Sequence, residues 1–148
     1  MSCFDDKGFY TNDNVMHLVL WNEEILEFQK PEKKWNFITN GKFNLKYILA
    51  IINSQLNTYY FSKFLSTDTL QGSYSSIYPE DIRQIPVKEI EEKDQQPFVV
   101  LVAQILELKK AGKDTQALED EIDTLVYRLY DITPEERALI EGKEKTAK

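Results

Sequence analysis

The chain has 148 residues, 42% of them hydrophobic, with eight Tyr and eight Phe. That is enough for a sizeable core and excludes an intrinsically disordered chain. A formal net charge of −7 argues against a free-standing nucleic-acid binder, and the lone Cys3 excludes an internal disulfide or a thiolate metal cluster.

The charge is uneven. Residues 28–88 carry eight basic side chains against four acidic ones, whereas residues 89–148 carry nine against fifteen. The acidity therefore gathers in the tail, and the middle of the chain can face phosphates. Lys46, Asn53, Gln55 and Asn57 interrupt the most apolar stretch, so no membrane span is expected. The N-terminus lacks the basic-then-apolar order of a signal peptide. A cytoplasmic protein is the expectation.

Phe9-Tyr10 after Gly8 reads as a short strand, and Val15–Trp21 (VMHLVLW) as a strand buried on both faces. Residues 22–44 read as irregular, with a Lys-rich tip at Lys30–Lys34 and a short strand at Trp35–Ile38. Asn44 is an N-cap for one helix running to about Phe64, with Leu45, Ile48, Leu49, Ile52, Leu56, Tyr59, Tyr60 and Phe64 at helical spacing. On it, Asn53, Asn57, Tyr59 and Tyr60 are expected to pack rather than bind. The polar stretch 66–78 around Gly72 reads as a loop, and Pro79-Glu80-Asp81 as the start of a helical turn. Pro86 marks Ile85–Val87 as an edge strand. Asp94 is read as the cap of a helix with Pro97 in its first turn and Phe98, Leu101, Val102, Ile105 and Leu108 on one face. Gly112 ends that helix, and Asp114 or Thr115 begins a second that aligns Leu118, Ile122, Leu125, Val126 and Leu129. Thr133-Pro134-Glu135-Glu136 has the capping-box form for a short last helix ending by Gly142.

The expected fold is α+β: a small mixed or antiparallel sheet packed on the Asn44–Phe64 helix, then a helical hairpin and a short last helix. Residues 1–90 form a partial α/β unit, 91–142 the helical hairpin with the last helix, and 143–148 a flexible tail.

The order of the Asn- and Tyr-bearing LKYILAIINSQLNTYYFSKF helix, the IRQIPV segment, the paired tail helices and the LVYRLY…TPEE ending resembles the C-terminal specificity segment of TaqI-like adenine-N6 DNA methyltransferases. Fused type IIG restriction-modification enzymes share it. The resemblance implies sequence-specific target recognition, with double-stranded DNA and an upstream methyltransferase domain of the same polypeptide as partners. It also implies that S-adenosylmethionine is bound by that missing domain and that Met1-Ser2 begins an excised fragment.

No catalytic chemistry is legible. The five prolines are never adjacent, so the Asn/Asp-Pro-Pro-Tyr/Phe motif that holds a flipped adenine is absent, and five scattered glycines form no cofactor loop. Glu91-Glu92-Lys93, with Asp81 upstream, matches a nuclease-like Glu-x-Lys triplet but reads as a solvated spacer. His17 reads as a core residue. Recognition needs Lys or Arg for phosphates and polar side chains at base edges. Lys30, Lys33, Lys34 and Lys42 fit the first role, and Gln71, Ser73, Tyr74 and Ser75 around Gly72 the second. The rival reading is a protein–protein module in which the hairpin docks a partner or a second copy of the chain and never meets DNA.

Overall fold

The computed structural model describes residues 43–65 and 79–142. Every regular element among them is helical: α1 Leu45–Asn53, α2 Gln55–Tyr60, a π-helical turn Phe61–Leu65, α3 Pro79–Arg83, α4 Glu92–Lys110, α5 Gln116–Leu129 and α6 Pro134–Ile140. The α+β expectation is therefore corrected: there is no sheet among the described residues, and no strand at Ile85–Val87. The strands expected at Phe9-Tyr10, Val15–Trp21 and Trp35–Ile38 lie outside those residues.

The reason for the missing strand is local. Side chains on the helices and at the end of α5 satisfy main-chain groups of Pro86, Lys88 and Ile90 in place of a neighbouring strand. The Tyr130 hydroxyl donates to the Pro86 carbonyl at 2.6 Å and accepts from the Lys88 amide at 3.2 Å. The Tyr47 hydroxyl donates to the Lys88 carbonyl at 2.6 Å, and Lys88 Nζ reaches the Leu129 carbonyl at 2.7 Å. Backbone groups near a core must find partners, and here side chains supply them without a ladder. Ile85 is buried beside this segment.

The single Asn44–Phe64 helix is also corrected. Asn44 does cap α1, its side chain accepting from the Lys46 amide. Ser54 then interrupts the helix with φ −67° and ψ 156°, ending α1 and capping α2 at once. Its Oγ donates to the Ile51 carbonyl at 2.7 Å and accepts from the Asn57 amide at 3.2 Å. A serine hydroxyl can compete with the helix for backbone groups, which is why it favours such junctions. Asn57 is buried and donates to the Ile52 carbonyl at 2.9 Å, tying the two helices across the break.

The tail follows its sequence signals with one shift. α4 begins at Glu92, so Asp94 is not its cap and Pro97 lies inside the helix, beyond the first turn. Glu92 and Asp94 in that first turn favour the positive end of the helix dipole. Gly112, at φ +66°, ends α4: the Lys113 amide donates to the Leu108 carbonyl and the Gly112 amide to the Lys109 carbonyl. This is the bonding in which a left-handed residue closes a helix. Asp131, at φ +56°, repeats it at the end of α5. Thr133 and Glu136 complete the expected capping box of α6.

The core is built where α1 packs on α4 and α4 packs on α5. Tyr47, Ile48, Ala50 and Ile51 meet Phe98, Leu101, Val102 and Ile105, with Ile122 and Val126 beneath them. Burying each of the larger side chains contributes about 1.5–3 kcal/mol. Tyr47 meets Phe98 edge to face at 5.2 Å between centroids, a favoured aromatic geometry. α2 turns away from this layer to pack on α5 and α6. No helix among the described residues is long and apolar enough to cross a membrane.

One polar side chain sits at the centre of this packing. Gln95 is 0% exposed; its Oε1 accepts from the Asn44 amide at 2.8 Å and its Nε2 donates to the Ile90 carbonyl at 3.1 Å. Replacing Gln95 with Leu strands both backbone groups, and urea denaturation should show a loss of about 2–4 kcal/mol. A loss below about 0.5 kcal/mol would show that the amide carries no structural weight.

Candidate nucleic-acid interface

The residues assigned to DNA contact by sequence, Lys30, Lys33, Lys34, Lys42, Gln71, Ser73, Tyr74 and Ser75, all lie outside the described residues. So do His17 and Cys3. What the structure supplies is the scaffold on which the two segments carrying them begin and end. Residue 42 leads directly into Phe43 and the Asn44 cap, held by Gln95. Residues 66–78 leave from the π-helical turn and return at Pro79, the first residue of α3.

The α2 end of the scaffold is fixed by a buried carboxylate. Asp123, on α5, accepts from the Gln55 amide at 2.8 Å, so the first free N–H of α2 is tied to the hairpin. Burial raises the Asp123 carboxyl above the usual carboxylate range, and nearby Asp120 and Glu141 push the same way against the Gln55 bonds. Beside it lies Tyr127, whose buried hydroxyl has no partner among the described residues. Burial, followed by the charges of Asp123 and Glu141, pushes the Tyr127 phenol up to about 12. The Arg137 guanidinium stands 5.0 Å from the Tyr127 ring centroid and pairs through Nε with Glu141 at 2.7 Å. Together these groups lock α2, α5 and α6 into one block.

Where α2 meets α6, a shallow cleft is lined by Gln55, Thr58, Tyr59, Ser62 and Ile140. Four of these are hydrogen-bonding side chains at i, i+3, i+4 and i+7, presented as one stripe because the Ser54 break turns α2 out of the core. Sequence reasoning assigned Tyr59 to packing and passed over Gln55, Thr58 and Ser62. The missed signal is Asn53-Ser54-Gln55, a cap-forming residue within an otherwise continuous apolar pattern. The expectation for Asn57 was sound, since it packs within the break.

The triplet considered for nuclease chemistry is an exposed ion pair: Lys93 Nζ lies 2.7 Å from Glu91 Oε2 at the start of α4. Among the described residues no three His, Cys, Asp or Glu side chains gather in a metal-holding group.

Asp123 gives the block a defined pH response. Its folded-state pKa is raised, so its contribution to stability is fully present below the unfolded carboxylate value and is lost as pH rises through the raised one. Asp123→Asn keeps an acceptor for the Gln55 amide without the titration. The stability advantage of the native chain over Asp123→Asn should therefore shrink between mildly acidic and neutral buffer, as chemical denaturation at the two pH values will read. A gap that is constant or widens toward neutral pH would contradict the burial of this carboxylate.

Comparison with protein-family models, with curated proteins and with solved structures finds no match to this chain.

Proposed function

We propose that this chain serves sequence-specific DNA target recognition in a restriction-modification adenine-N6 methyltransferase of the type IIG kind. The observation that supports it best is the partition of charge along the scaffold. Residues 43–65 hold Lys46 and Lys63 and no carboxylate, whereas residues 79–142 hold eight basic against sixteen acidic side chains. The net acidity that argues against DNA binding thus belongs to α3 and the tail helices. Residues 43–65, into which residues 1–42 lead and from which residues 66–78 depart, are free of it, whereas residues 66–78 return at α3, which holds Glu80 and Asp81. Salt screens repulsion from phosphates beyond about 10 Å at ordinary ionic strength, so such a partition lets one side of an acidic protein approach DNA.

In this reading the chain positions and does not catalyse. Lys30, Lys33, Lys34 and Lys42 meet phosphates, and Gln71, Ser73, Tyr74 and Ser75 meet base edges. An upstream methyltransferase domain of the same polypeptide holds S-adenosylmethionine and performs the transfer. The scaffold's contribution is rigidity: the Gln95 and Asp123 bonds fix where each recognition segment starts. The chain's compartment on this reading is the cytoplasm, where such enzymes meet DNA.

A second reading has its own observation. Val100 is half exposed on α4, and further along the same helix Ala103 and Leu108 line a shallow groove with Gln104 and Glu107, a weakly apolar surface that suits a protein partner or a second copy. Salt separates the two readings. Fluorescence anisotropy of the chain with a mixed-sequence DNA duplex should show affinity falling steeply with added salt. Each of Lys30→Ala, Lys33→Ala, Lys34→Ala and Lys42→Ala should lower the log–log slope by about 0.9. Absence of binding at low salt, or binding that ignores salt, would remove the DNA reading and leave the interaction module.

A further inference from the structure

The end of α2 carries side chains that packing does not explain. Phe64, in the π-helical turn that follows α2, is 66% exposed. Its ring lies 5.4 Å from that of Tyr60, tilted by 33°. One position along, Lys63 Nζ stands 6.0 Å from the centroid of the Tyr59 ring. Both pairs are four residues apart, so the last turn of α2 and the π-helical turn set two aromatic-led pairs side by side. Tyr59 and Tyr60 are half-buried and Lys63 is exposed. Among the described residues no carboxylate lies within ion-pair distance of Lys63. A π-helical turn is a local departure from the α-helix that recurs at functional sites.

The chemistry of this ledge is specific. An exposed ammonium and two phenols offer donors to an anion, while exposed ring faces offer stacking or apolar contact. A docking protein would need mainly apolar burial here, yet the ledge adjoins the hydroxyl- and amide-bearing stripe of Gln55, Thr58 and Ser62. Interleaved aromatic and basic groups on a segment that carries no carboxylate of its own match the sugar-phosphate backbone of a nucleic acid.

We infer that Tyr59, Tyr60, Lys63 and Phe64 form a contact for the DNA backbone at the foot of residues 66–78. Lys63 and the tyrosine hydroxyls meet phosphate oxygens, and the Phe64 ring lies on a deoxyribose. The inference rests on the DNA-recognition reading and adds to it a described surface with named contacts. Backbone contacts here set register for whatever reads the bases.

The test uses the full chain and a mixed-sequence DNA duplex across a salt series. Lys63→Ala should weaken binding several-fold and lower the log–log salt slope by about 0.9, with Lys63→Arg restoring both. Phe64→Ala should weaken binding on the order of tenfold with the slope unchanged, because an aromatic contact releases no counterion. Far-ultraviolet circular dichroism equal to that of the native chain will show that each variant is folded. Native-like binding by Lys63→Ala or by Phe64→Ala overturns this contact and leaves the DNA reading standing. No binding by the native chain overturns both.

Discussion

The described structure depends on one buried amide. The Gln95 side chain, without contact with water, joins the chain entering α1 to the chain entering α4 through two backbone bonds. Asn44 and Ile90, the two residues so joined, are 46 positions apart in sequence (51 − 5), and neither has a partner strand or a helix of its own to fix it. An apolar residue would fill the space but leave an N–H and a C=O dry, which costs more than the space is worth. Gln supplies a donor and an acceptor on one short planar group, so both ends are satisfied at a single point. The packing of Tyr47, Ile48 and Ile51 on Phe98, Leu101 and Val102 follows from that alignment.

The same device recurs around it. Tyr47, Tyr130 and Asp123 each reach from a helix to the main chain of a distant segment. Burial raises the phenol of Tyr47 well above its ordinary value and that of Tyr130 in the same direction against the Lys88 bond, and both are neutral donors across the physiological range. The scaffold is thus hydrophobic in bulk but specified by a handful of side chain to backbone bonds, each of which fixes where one irregular segment lies. Polar residues in a core act this way when every group finds a partner. Tyr127 is the exception among the described residues: its ring lies beside Arg137 while its hydroxyl finds no partner among them.

The tail was readable because its signals are local. Gly112 at a left-handed position, the Thr133–Glu136 capping box and the apolar faces of α4 and α5 depend on a few neighbouring residues each. The sheet was misread because Ile85-Pro86-Val87 has the composition of an edge strand, and composition does not reveal whether a strand or a tyrosine will satisfy its carbonyls. The start of α4 was placed too late because Pro97 suggested a first turn, whereas Gln95 and the acidic first turn fix an earlier one. The Ser54 break was hidden by an apolar period that continues across it. The contact residues proposed from resemblance fall outside the described residues. The ledge at Tyr59–Phe64 was legible only as part of a helix, since exposure is a property of packing and not of spacing.

The Ser54 break also shapes how the chain assembles. α4 and α5 meet across a short turn, so their contacts form early and cheaply, whereas α1 must find α4 across residues 54–91. Loop-closure entropy makes the second event the slower one, and local contacts precede it. Because the break separates α1 from α2, α1 can dock on α4 without first dragging α2 into place on α5. The hairpin thus acts as the template on which the N-terminal half is completed, and Gln95, already ordered within α4, waits for Asn44 to arrive.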